Sequence, residues 1–89
     1  MVIETRNPST GKTIKQYNTM SSQQLDNAIT QAHSAQKRWR EVSLEARAEP
    51  MMRVAQMLEK NIGLYAMLIT TEMGKPITAA RAEIEKCAK

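Results

Sequence analysis

The scarcity of large apolar side chains is what most limits the folds open to this chain. It contains no Phe, one Trp and two Tyr. Leu, Ile and Val together supply 15 of 89 residues, and the remaining apolar content is eleven Ala, seven Met and one Cys. A chain of 89 residues that closed into a globule would go from about 14,500 Å² unfolded to about 5,200 Å² folded. Ordering it costs on the order of 130 kcal/mol at about 1.5 kcal/mol per residue. So lean an apolar set must bury nearly everything it has to offset that. One domain at most is expected, rich in helix and in need of a neighbour to cover its apolar faces. The disorder signature of low hydrophobicity with high net charge is only half met, because the net charge is +4.

Charge and cysteine usage narrow the function classes. The thirteen Lys and Arg run from Arg6 to Lys89 with nine acids interleaved. The densest basic cluster, Lys37-Arg38-Trp39-Arg40, is followed at once by Glu41. Nucleic-acid binding wants a cationic stripe on one face, and single strands want aromatic platforms beside it. Trp39 instead falls on an apolar stripe, so the cluster reads as a solvated helix end with a core Trp, and no nucleic-acid partner is expected. One cysteine, Cys87, excludes an internal disulfide and fits a reducing compartment. Met1-Val2-Ile3-Glu4-Thr5-Arg6 lacks the pattern of a secretory leader. The longest apolar run, Leu64 to Ile69, is six residues, too short to span a bilayer. A cytoplasmic protein with no membrane partner is the expectation.

Residues 2–18 predict a β-hairpin. Val2-Ile3-Glu4-Thr5 and Thr13-Ile14-Lys15-Gln16-Tyr17 flank the turn formers Asn7-Pro8-Ser9-Thr10-Gly11-Lys12. Four helices follow, over about 22–41, 44–60, 62–73 and 76–89. Helix 1 opens with a Ser21…Gln24 capping box. Its stripe is Leu25, Ala28, Ile29, Ala32, Ala35, Trp39 and Val42. His33 lies beside that stripe with no second ligand at metal spacing, and reads as a surface residue. Helix 2 is capped by Ser43, and Ala48, Met51, Met52, Ala55, Leu58 and Ile62 recur along it at helical spacing. Pro50 sits seven residues past that cap, where proline removes a donor and clashes with the Ala46 carbonyl. A kinked helix is favoured over a separate turn at 44–48. Asn61 is a candidate left-handed cap. Helix 3 turns Leu64-Tyr65, Leu68-Ile69 and Met73 inward, and Gly74 ends it. Helix 4 opens at Pro76 and presents Ala80, Ile84 and Ala88. It carries no stop signal before Lys89, which reads as a sign of truncation.

Catalytic constellations are absent from the pattern. Gly11, Gly63 and Gly74 are isolated, so no nucleotide-binding glycine loop exists. Gly74-Lys75 lacks both the upstream glycines and the following Ser or Thr of a phosphate loop. Cys87 lies deep in helix 4 beside the apolar stripe and reads as a core thiol, with no base near it in sequence. Glu83 and Glu85 point to opposite faces of one helix. Glu72 and Lys75 read as a cap or a surface ion pair. No catalytic, cofactor-binding or metal-ligating residue is expected in this chain.

The order of segments is nonetheless distinctive. Asn7-Pro8-Ser9-Thr10-Gly11, Ala32…Trp39-Arg40, Ser43…Arg47-Ala48 and Val54-Ala55…Leu58-Glu59 resemble the start of the aldehyde dehydrogenase superfamily. Leu64-Tyr65-Ala66-Met67-Leu68-Ile69-Thr70-Thr71-Glu72-Met73-Gly74-Lys75-Pro76 is similar to that family's "LA-x-LIT-x-E-x-GKP" segment. Glu72-Met73-Gly74-Lys75-Pro76, with Ala82-Glu83-Ile84 and Lys86-Cys87-Ala88 beyond it, resembles the succinate-semialdehyde dehydrogenase branch. The resemblance runs from residue 2 to residue 89, and Pro50 departs from it.

The resemblance implies a mainly α segment with an N-terminal β-hairpin, part of the α/β aldehyde dehydrogenase fold whose Rossmann-like cofactor domain is mostly missing here. It implies an incomplete domain whose partners are the cofactor-binding and catalytic domains of a homo-oligomeric parent. In that family a cysteine attacks the aldehyde, hydride passes to NAD or NADP, and a glutamate-activated water hydrolyses the thioester. None of those motifs maps onto residues 1–89, and Cys87 matches a helical position and not the nucleophile. The segment alone is therefore expected to be inactive and, with its apolar faces bare, aggregating or molten. The alternative is a small helical interaction module acting in trans with a split enzyme.

Overall fold

The computed structural model describes all of residues 1–89. Strand β1 (Val2–Arg6) pairs antiparallel with β2 (Thr13–Asn18). Four helices follow: α1 (Ser22–Trp39), α2 (Leu44–Lys60), α3 (Ile62–Met73) and α4 (Ile77–Ala88). The architecture is thus mainly helical with an N-terminal hairpin, as the sequence predicts.

The turn chemistry of the hairpin works as its residues dictate. Ile3 faces Tyr17 and Glu4 faces Gln16, with a register shift between Thr5 and Arg6. The Gly11 N–H donates to the Asn7 carbonyl at 2.7 Å, with Gly11 at φ +74, a left-handed conformation that costs glycine nothing. The Asn7 side chain accepts from the Ser9 N–H at 2.9 Å, bracing the corner.

Helix α1 starts with the full capping box. Ser21 Oγ accepts from the Gln24 N–H at 3.1 Å, and Gln24 Oε1 accepts from the Ser21 N–H at 2.9 Å. It ends at Trp39, two residues before the predicted limit of 41. There the ladder tightens: Glu41 N–H reaches the Arg38 carbonyl and Val42 N–H the Trp39 carbonyl. Val42 therefore belongs to the turn that delivers Ser43 as the cap of α2, where Ser43 Oγ accepts from the Ala46 N–H at 3.2 Å.

Helix α2 runs continuously from Leu44 to Lys60 with Pro50 inside it, which sets aside a separate turn at 44–48. Asn61 is not left-handed: its φ is −110° and its ψ 25°, and its amide donates to the Met57 carbonyl at 3.0 Å. One residue thereby closes α2 and opens α3 with no room for a loop. Gly74 does end α3 in the left-handed region, at φ +76. A Cβ there would stand 3.1 Å from Pro8 Cγ, so the hairpin turn rests on the α3–α4 corner and glycine is required twice over.

The core is small. Ala66, Ala80 and Ile84 are the buried residues, 3 of 89, and they sit where α3 crosses α4. Ala88 is half-buried on the same stripe. The chain measures 47 × 36 × 14 Å, so it is one helix layer thick, whereas a self-contained domain packs at least two. Its radius of gyration is 17.5 Å against about 12 Å for a compact chain of this length. Its accessible surface is 7533 Å² against about 5,200 Å² expected of a globule.

Several inward assignments are corrected by this geometry. Leu64, Leu68 and Met73 are exposed, and on the stripe of α2 Met51 and Met52 are 68% and 63% exposed. Ala48 too faces solvent. Helix α3 is apolar around its whole circumference, so its sequence holds no periodic stripe to say which side faces in. The crossing with α4 selects Ala66 alone for full burial, with Tyr65 and Ile69 partly covered.

Candidate functional site

Reactive groups are dispersed. Cys87 is exposed near the end of α4, so it is not the core thiol its neighbours suggest. The stripe that is buried, Ala80 and Ile84, advances by four, which carries the inward face to Ala88 and leaves Cys87 rotated out. His33 is exposed on α1. No three His, Cys, Asp or Glu side chains come together in a way that could hold a metal ion.

The ionised groups form three surface pairs: Glu4–Arg6, Arg40–Glu41 and Lys75–Glu83. Lys75 therefore pairs with Glu83 and not with Glu72, because the Pro76 corner folds α4 back toward the end of α3. That partner lies eight residues on, and no local helical spacing points to it. The Glu4 carboxyl is held below its ordinary range, chiefly by the Gln16 amide and next by the Arg6 guanidinium, whose Nε donates to it at 2.7 Å. Thr5 Oγ1, Arg47 Nε and Thr70 Oγ1 are shielded from solvent with no hydrogen-bond partner. They lie on three different elements, β1, α2 and α3.

Nor do the residues present suit a dinucleotide. A pyrophosphate cradle needs successive backbone N–H groups presented by a glycine-rich strand-to-helix turn. The sheet here is a two-stranded antiparallel hairpin, Gly11 lies at its tip, and Gly74 is packed on Pro8. No step of cofactor chemistry can be assigned to these side chains.

What the molecule does offer is uncovered apolar surface. On α1, Leu25, Ile29 and Trp39 are 52%, 60% and 47% exposed, and the helix has no buried residue. Trp39 walls an open groove of about 600 Å³ lined by Ala32, Ala35, Gln36, Arg38 and Val42. On α3, Leu64, Met67 and Leu68 share one exposed face, and on α2 Met51, Met52 and Met57 are exposed. The stripe on α1 is legible in the sequence. The α3 face is not, since every side of that helix looks alike.

Comparison with known proteins gives this arrangement its family. The whole chain, residues 1–89, matches the model of the aldehyde dehydrogenase family, and the chain belongs to that family. It is 39% identical over 89 residues to succinate-semialdehyde dehydrogenase [NADP(+)] 1 of Mycobacterium tuberculosis (strain ATCC 25618 / H37Rv), covering 100% of this chain and 20% of that one. It is 35% identical over 89 residues, again 100% of this chain and 20% of the other, to succinate-semialdehyde dehydrogenase [NADP(+)] of Mycobacterium leprae (strain TN). To an aldehyde dehydrogenase of Paenarthrobacter nicotinovorans it is 38% identical over 88 residues, 99% of this chain and 19% of that protein. The chain thus spans about a fifth of the length of the curated relatives it matches. No helix is long and apolar enough to cross a membrane.

Proposed function

We propose that this chain is the N-terminal hairpin-and-helix layer of an NADP-dependent succinate-semialdehyde dehydrogenase, oxidising succinate semialdehyde to succinate in the complete cytoplasmic enzyme. The observation that carries this reading is the end-to-end match to succinate-semialdehyde dehydrogenases of which it covers a fifth. The slab geometry supports it. A layer 14 Å thick with three buried residues has to be completed by a second layer, and the remaining four-fifths of such an enzyme would provide one. NADP, when bound by that larger part, supplies the hydride acceptor. Residues 1–89 contribute surface and no reacting atom, so the segment by itself is inactive. Neither nucleic acid nor membrane is a partner in this reading, and the parent is a homo-oligomer.

The same exposed faces also suit assembly in trans with a separately encoded remainder, and one experiment separates the two modes. The first fifth of the M. tuberculosis relative is replaced by this chain, either fused to the rest or mixed with it as a separate polypeptide. Fusion restores succinate-semialdehyde-dependent NADPH formation, whereas the 89-residue protein alone gives none. Activity on simple mixing selects the trans mode. Sustained aldehyde-dependent turnover by the 89-residue chain alone would falsify the reading.

A further inference from the structure

We draw no further inference here: the strongest candidate, the amide-lined recess between the end of β2 and the first turns of α1 (Asn18, Thr19, Gln24, Asn27 and Gln31), is built from exposed side chains, and nothing in the structure shows what fills it.

Discussion

Helix α1 and the α2–α4 unit make opposite use of similar material. By local criteria α1 is the better helix, with 18 residues, a complete capping box and a basic last turn. It buries nothing. Helix α2 has Pro50 in its interior, α3 has no side-chain cap and α4 none either. Yet α3 and α4 hold every buried residue in the molecule. Caps and spacing decide where a helix forms, while a core needs a second helix at the right distance. The Pro76 corner turns α4 back toward α3, and Ala66 and Ala80, both fully buried, let the two backbones approach. No such partner is in reach of α1.

The largest test of that contrast is I84A. Truncating the one bulky buried side chain costs about 2–5 kcal/mol, a large share of what so thin a core can hold. Urea unfolding of α2–α4, followed by circular dichroism, should lose most of its cooperative transition. A shift of a few tenths of a kcal/mol would show that the α3–α4 crossing is not where stability resides. P50A acts in the other direction. Restoring the missing N–H and relieving the clash with Ala46 should raise stability by about 1–3 kcal/mol, read as a higher urea midpoint at unchanged slope. A midpoint that falls would mean that Pro50, half-buried on its helix, is held by packing its ring supplies.

S21A is smaller and local. Losing the cap costs about 1 kcal/mol and should speed amide exchange along α1 while leaving that of Ala66 and Ala80 unchanged. Equal acceleration in both regions would erase the distinction between them. The smallest effect sits in the hairpin. Folding depresses the Glu4 carboxyl through Gln16 and Arg6. Its contribution is therefore present above the ordinary carboxylate range and lost as pH falls through the depressed value. E4Q should flatten the acid limb of the hairpin's stability, seen as the chemical shifts of Ile3 and Tyr17 across an acid titration. An unchanged acid limb would take Glu4 out of the account.

Much of this was legible in residues 1–89. Both strands, the Asn7–Gly11 turn, the Ser21 and Ser43 caps, the Gly74 stop and the Ala80–Ile84 stripe all rest on interactions within a few residues of each other. The apolar stripe of α1 was equally plain, because Leu25, Ile29 and Trp39 are set against a polar remainder, but Trp39 reads as a core residue and is 47% exposed. The errors share one cause. Leu64, Leu68 and Met73 read as inward because they are apolar, and Lys75 reads as a cap or as a partner of Glu72 because the two are near in sequence. Burial and pairing depend on what stands opposite, and those neighbours come from other helices.

By itself the sequence determined the elements, the Ser21 and Ser43 caps and the kinship with aldehyde dehydrogenases. Each follows from short-range hydrogen bonding, backbone sterics or the residue pattern. Tertiary structure alone decided which side of the uniformly apolar α3 is covered, that Cys87 turns outward, that Lys75 meets Glu83, and that Gly74 takes the weight of Pro8. Those outcomes depend on how separate helices cross, and the energy of a crossing lies in complementary surfaces that no single stretch of chain contains.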